Sequence, residues 1–331
     1  MQTTISTAGH GVNIGHGFVK YVIVEPSGAE RPAVVFPAML AKASSSVAGA
    51  LARAEVVTMG DDFWWTGEDA LQGTPRTFLG QERLADPIFI PALLRGALQR
   101  LGHLNGAAGG ICVTGLPASW AGDEAKARAL AERLKAALPG YRAIRVIPEP
   151  LGLVYAALLD GEGAVVGEAA LTGGRVGVVD LGHLTDDICV VDRMRPIPTS
   201  LATFQTGTKG PLSQIASRIG DVYEREATLA EADAAVRAGA VRVAGRLQPL
   251  PDAWQEPLAE NGEALAARLV ERWGRGADLD LILVGGGGAE LAQKTAAIRR
   301  RFPQAVVVPE AQTAIARGYA RLARRLAAGE K

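Results

Sequence analysis

Asp180-Leu181-Gly182-His183-Leu184-Thr185 lies between two β-forming runs, Val178-Val179 before it and Ile188-Cys189-Val190-Val191 after it. The pattern reads as a hairpin whose turn is lined by backbone amides and a carboxylate, a surface able to hold a phosphate. A fainter copy begins at Asn13, where Asn13-Ile14-Gly15-His16-Gly17-Phe18-Val19-Lys20 runs into a strand and ends on Glu25 as the other ends on Asp192. The offset, 180 − 13 = 167 residues, is about half the chain and predicts two related halves facing each other across a cleft. Glu149 stands between the strand Ile144-Arg145-Val146-Ile147 and a helix opened by Pro150, a strand-to-helix junction of the kind where α/β proteins meet ligands. Gly285, Gly286, Gly287 and Gly288 follow the buried strand Leu279 to Val284 and precede a helix expected from Ala289. Without a Cβ, a ligand can lie against that backbone, and the helix start favours negative charge.

Each of these residues also has a plainer explanation. Asp180 and Asp187 suit a turn for its own sake, Glu149 suits a helix start, and Lys20 suits a solvated strand. His16 and His183 hold equivalent turn positions, but with no cysteine or third ligand beside them they read as incidental rather than as a paired metal site. Glu290 stands where a G-x-G-x-x-G fingerprint needs glycine, and no G-x-x-x-x-G-K-[ST] occurs, which removes the dinucleotide and P-loop classes.

The elements that must carry these turns are those of an α/β protein. Strands are expected at about 11–26 as a hairpin, at 31–38, at 110–115 and at 305–308. Helices are expected at about 90–104, 123–138 on the stripe Leu130, Leu134 and Leu138, 150–159, and 311–328. Residues 56–67 predict a small hairpin with Phe63, Trp64 and Trp65, either packing a peripheral lobe or forming a self-association surface. Residues 208–275 predict a largely helical insertion. Lys+Arg and Asp+Glu balance at 35 each, which disfavours direct nucleic-acid binding. Two cysteines in apolar runs exclude a disulfide scaffold, and with no leader or membrane-length apolar run the expected location is the cytoplasm.

Taken in order, Asn13-x-Gly15-x-Gly17-x-x-Lys20, Pro148-Glu149-Pro150, Asp180-x-Gly182-x-x-Thr185-x-Asp187, Gly285 to Gly288 and Ala316-x-Gly318 resemble the five-motif signature of the actin-like ATPase superfamily. Phe36-Pro37-Ala38, Gly67-Glu68-Asp69-Ala70 and Val113-Thr114-Gly115-Leu116-Pro117 are similar to plasmid-segregation actins of the ParM type and to archaeal actin-like proteins. The resemblance implies a two-lobed actin-like ATPase fold of duplicated ribonuclease H-like domains with a central cleft. The first lobe would span 1–160 with a small insertion near 39–72, the second 161–310 with the helical insertion, and 311–331 would return to the first lobe. It implies ATP or ADP with Mg²⁺. Asn13, Gly15, His16, Gly17, Phe18 and Lys20 would line one side of the phosphates, and Gly182, His183, Leu184 and Thr185 the other. Gly285 to Gly288 would lie by the adenosine. Asp180 would hold the hydrated metal, Asn13 would reach it through water, and Glu149 would orient the attacking water. Family members usually carry aspartate where Asn13 stands, so Asn13→Asp is expected to strengthen the metal shell and raise turnover. The implied activity is ATP hydrolysis coupled to a cytoskeletal filament of the protein with itself, serving plasmid or DNA segregation through a DNA-binding adaptor. The alternatives are a small-molecule kinase, for which no substrate base is evident, or a membrane-linked assembly protein. The last would need an exposed stripe on the final helix, where Ile315, Tyr319, Leu322 and Leu326 are expected instead to pack on the sheet.

Overall fold

Buried β-formers build the first sheet. In a computed structural model, which describes residues 7–43, 56–78, 80, 82–102, 109–137 and 139–329, the early strands are β1 (Gly9–Ile14), β2 (Phe18–Val24), β3 (Val34–Pro37), β4 (Leu40–Ala43), β5 (Val56–Met59), β6 (Asp62–Thr66), β7 (Ile111–Leu116) and β8 (Ala143–Pro148). β3, β2, β1, β7 and β8 form one sheet in that order, antiparallel from β3 to β1 and parallel from β1 to β8. β1 and β7 are buried along their whole length, because helices cover both faces. The helices Phe89–Arg100 and Glu124–Ala137 pack with one core, while the closing helix Ala311–Gly329 lies against β1, β2 and β7.

The second half repeats the plan with β9 (Arg175–Leu181), β10 (Asp186–Asp192), β11 (Arg195–Pro196), β12 (Ala202–Phe204), β13 (Ala240–Val243), β14 (Arg246–Pro249), β15 (Leu281–Gly285) and β16 (Ala305–Val307). Its sheet runs β11, β10, β9, β15, β16, with β12 beside β10, and again joins an antiparallel hairpin to two parallel strands. The duplication holds to the residue. Asn13 pairs with Lys20 and Asp180 with Asp187, each 167 residues on, and Gly15 N–H donates to Phe18 O at 3.0 Å as Gly182 N–H does to Thr185 O at 3.1 Å.

Two local features differ from the sequence reading. The glycine run does not open directly into a helix. Gly286 takes φ +84°, a tight 3-10 turn follows over Gly287–Glu290, Leu291 is extended, and the α-helix begins at Ala292 rather than Ala289. The insertion is helical at Lys209–Tyr223, Leu229–Ala238 and Glu256–Trp273 but also holds the hairpin β13–β14. Its two-residue turn places Ala244 and Gly245 at positive φ, and an alanine there hides the usual Asn-Gly signal. Of the two readings for the aromatics, the packing one holds for the tryptophans: Trp64 is buried in the first main core and Trp65 against Ala41, Ala43 and Ala70, both carried by the small sheet β4-β6-β5. Leu138 and residues 44–55 lie outside the described residues.

The closing helix buries Ile315 and Tyr319 fully and Leu322 and Leu326 in part. Its arginines are tied down as well: Arg317 and Arg321 both donate to Glu30, and Arg321 also donates to the carbonyls of Ala156 and Leu159, which end the helix Leu151–Leu158. An apolar stripe facing a membrane is therefore ruled out for this helix. Among the described residues no helix is long and apolar enough to cross a membrane.

Candidate functional site

Two hairpin turns, one strand end and one glycine turn converge on one cleft. Asn13, Gly15, His16, Gly17, Phe18 and Lys20 line it from the first hairpin, and Asp180, Gly182, His183, Leu184 and Thr185 from the second. Gly286, Gly287 and Gly288 complete the wall, with Glu149 at the base. Gly285 is not part of the lining. It ends β15, and a Cβ there would run into the Leu153 side chain, so this glycine serves packing of the helix Leu151–Leu158 on the sheet. Gly286 is required at the cleft itself, where a side chain would overlap the Asp180 carboxylate and the Leu181 carbonyl. The two hairpin turns nearly touch: a Cβ on Gly17 would come within 2.9 Å of the His183 side chain.

At the turns, the amides of His16 and Gly17, and of His183, Leu184 and Thr185, donate to no backbone carbonyl among the described residues. Such loops expose N–H groups to an anion. Neither histidine is a cation at neutral pH. Burial, and after it the charge of Arg83, depress His16 to about 4, and burial with Lys209 and Lys20 nearby depresses His183 to about 4 against the opposing pull of Asp233.

Below the turns lies the charge of the site. Glu149, Asp180 and Asp187 bring carboxylate oxygens within 4.8 Å of one another, all three buried, and neither histidine belongs to this group. Burial raises all three acids. Asp180 is pushed well above its usual range, with Glu149 and Asp187 adding to the effect, and Asp187 rises to about 7, with Glu149 again the next contribution. Lys20 and Arg83 supply the opposing charge, and burial lowers the pKa of both. Lys20 Nζ donates to Asn13 Oδ1 at 3.2 Å and Asn13 Nδ2 donates to Glu149 Oε1 at 3.3 Å. Because Lys20 can only donate, this chain fixes which way the Asn13 amide faces. Glu149 is held by its backbone, with its N–H on Leu116 O at 2.8 Å and its carbonyl accepting from Tyr319 Oη at 3.3 Å. Three crowded carboxylates are hard oxygen donors of the kind a divalent cation such as Mg²⁺ takes.

Several residues in and around the cleft escaped the sequence reading or do more than it assigned them. Asp187 carries more than a turn: its Oδ1 accepts the Ala118 amide at 3.0 Å and the Thr203 hydroxyl, and Ser119 N–H in turn donates to Thr203 Oγ1 at 2.9 Å. The acid thereby ties the turn after β7 to the second sheet. Arg237, on the insertion helix Leu229–Ala238, pairs with Asp233 at 3.0 Å and Glu290 at 2.6 Å and donates to Gly287 O at 3.1 Å, fastening that helix over the glycine turn. Arg83 is buried with Nη1 on Ile14 O at 3.0 Å. Thr208, Gln312 and Ile315 also reach the cleft. No local spacing announces Arg83, Thr208, Arg237 or Gln312, since each arrives from a distant element.

The family model described as the actin-like proteins N-terminal domain matches residues 11–152. The archaeal actin homolog Ta0583 in complex with ADP is similar in structure at TM-score 0.74 and 18% identity, over 97% of this chain and 100% of that one. A 15-stranded ParM filament from Clostridium botulinum is similar at TM-score 0.66 and 15% identity, over 97% and 100%. Bacillus thuringiensis ParM with ATP is similar at TM-score 0.62 and 15% identity, over 95% and 97%. No curated protein sequence matches the chain. The chain thus has the two-domain actin-like fold, and the resemblance carried by its five motifs is upheld.

Proposed function

We propose that this chain binds ATP or ADP with Mg²⁺ between its lobes, hydrolyses ATP, and assembles with itself into filaments whose lifetime hydrolysis limits. The observation that carries the reading is the pair of hairpin turns, related by 167 residues, whose amides have no backbone acceptor among the described residues and whose residues line one cleft with Lys20, Asp180 and Glu149. The amides of His16, Gly17, His183, Leu184 and Thr185 hold phosphate oxygens from both sides, and Lys20 offsets their charge. Asp180, with Asp187 and Glu149 beside it, holds the cation, which supplies charge neutralisation at the phosphates. Glu149 orients water. Gly286 to Gly288 leave room for the nucleoside, beneath Asp233 and Arg237. Filament formation is supported by the fold shared with the Clostridium botulinum ParM filament. Segregation of plasmid or other DNA through an adaptor is the role this reading favours, in the cytoplasm.

Sedimentation and electron microscopy of the purified protein with ATP, ADP or no nucleotide test the assembly. ATP should promote sedimentable filaments, and Glu149→Ala should leave them forming but dissolving slowly. A strictly monomeric protein with ATP at high concentration overturns the filament reading. For hydrolysis, Asp180→Ala should abolish turnover with the fold intact, and unchanged turnover in that variant overturns the metal assignment.

A further inference from the structure

Behind the second turn, on the face of β10 away from the cleft, Lys294 and Asp186 form an ion pair with no solvent exposure on either side chain. Every donor of Lys294 is used: Nζ reaches Asp186 Oδ1 at 2.9 Å, Asp186 Oδ2 at 2.8 Å and Thr206 O at 2.6 Å. Asp186 also accepts from Thr206 Oγ1 at 2.6 Å and Gly182 N–H at 3.2 Å. Gly262 packs so closely over the Lys294 backbone carbonyl that a Cβ there would overlap it, which fixes the start of the helix Ala292–Arg301 that carries Lys294. A buried pair of this kind contributes little net stability compared with apolar residues of similar size. The first hairpin does without one: the residue 167 positions before Asp186 is Val19, buried and apolar.

The pair holds a loop that aims the turn. Thr206, fixed by Lys294 and Asp186, begins the segment in which Thr208 N–H donates to Gly182 O at 3.1 Å and Lys209 N–H to His183 O at 2.8 Å. Each trans peptide points its N–H opposite its C=O. Carbonyls of Gly182 and His183 held by this loop therefore turn the N–H groups of His183 and Leu184 away from it, in a turn where both residues line the cleft. We propose that Lys294 is a positioning residue for the second phosphate turn, acting through Asp186 and the Thr206–Lys209 loop to aim those two amides at the nucleotide phosphates. The inference rests on the nucleotide reading of the cleft and adds to it a residue that touches no ligand.

The test compares the natural protein with the double variant Asp186→Leu/Lys294→Met, which removes both charges and keeps the branched and linear side-chain shapes, and with the milder Thr206→Val. Calorimetric titration with ADP and with adenosine separates phosphate binding from nucleoside binding. In the folded double variant ADP affinity should fall about 10- to 100-fold, the range seen when a partner that orients a binding group is lost, with adenosine affinity within about twofold. Thr206→Val should show the same pattern, at about threefold by comparison. Amide exchange of Thr208 and Lys209 should quicken in both variants while that of Gly15 is unchanged. A folded double variant that binds ADP like the natural protein, or that exchanges Thr208 and Lys209 at the natural rate, overturns the proposal; so does an equal loss for ADP and adenosine. If the natural protein binds no ADP, the nucleotide reading fails instead, and the exchange rates alone decide whether Lys294 positions the turn.

Discussion

Asn13 bridges the two charged sides of the site: its carbonyl is occupied by Lys20 and its amide nitrogen holds Glu149. The sequence suggests that aspartate here would add charge to a metal shell and speed hydrolysis. The hydrogen bonds around Asn13 argue for the opposite outcome. Aspartate would still accept from Lys20 but would set a second oxygen against Glu149 Oε1, where the amide now sits at 3.3 Å, in a buried group that already holds three acids. Asn13→Asp should therefore lower stability in chelator by about 1–3 kcal/mol. Added Mg²⁺ should raise the melting temperature of the variant more than that of the natural protein, and turnover should slow. Thermal melts with and without Mg²⁺ check this, and faster turnover at unchanged stability would overturn it. Asp187 gives a pH signature. Its pKa rises from 3.8 to about 7 on folding, so between those values the native state binds more protons than the unfolded chain, and the stability this gives is lost as pH rises through 7. The ligand-free protein should melt at lower temperature at pH 8 than at pH 6. Asp187→Asn, which keeps an acceptor for Ala118 and Thr203, should flatten that slope and add roughly 2–4 kcal/mol at pH 8. A melting temperature that climbs from pH 6 to pH 8 would contradict it. At this scale the hairpin residues were legible because turn chemistry and spacing are local. Asp187 was visible only as a member of a motif, while Arg83 and Arg237 act through partners about 50 residues or more away in the chain, beyond the reach of any local pattern.

Among the elements, the closing helix shows how closely backbone can approach backbone. Gly11 faces the Ala316 carbonyl and Gly318 faces the Gly152 carbonyl, and a Cβ at either glycine would overlap its neighbour. Gly318→Ala should destabilise by about 1–3 kcal/mol or more through overpacking, measurable by denaturant titration. Gly173→Ala, where no atom lies within 4 Å of the added carbon, is the matched control. An equal effect of the two substitutions would refute the packing argument. Strand and helix periodicities were readable along nearly the whole chain, and the helix starting at Leu151 lies where Pro150 and its apolar spacing put it. Among the elements the sequence did not reveal, two were hidden for different reasons. The β13–β14 turn uses alanine at positive φ, which no propensity suggests, and the four glycines looked like a helix start because nothing local distinguishes a tight turn from the first turn of a helix.

For the molecule as a whole, the duplication was legible from one offset, but the contacts that join the lobes were not. Thr203 is one of these: it donates to Asp187 and accepts from Ser119 on the turn after β7. Thr203→Val should cost about 1 kcal/mol and widen the ligand-free molecule, seen as a larger radius of gyration in solution scattering. An unchanged radius and melting temperature would mean that the lobes are held together elsewhere. The closing helix is another such contact, and its position has a consequence for how the protein is made. β1 is finished at residue 14, yet the helix that covers one of its faces begins at residue 311. At ordinary ribosomal rates of about 5–20 residues per second, that face of the first sheet waits roughly 15–60 s for its cover. Over that interval the nascent chain must carry a half-dressed sheet, so a ribosome stalled between β1 and the closing helix leaves a sticky intermediate, and chaperone demand should persist until that helix emerges.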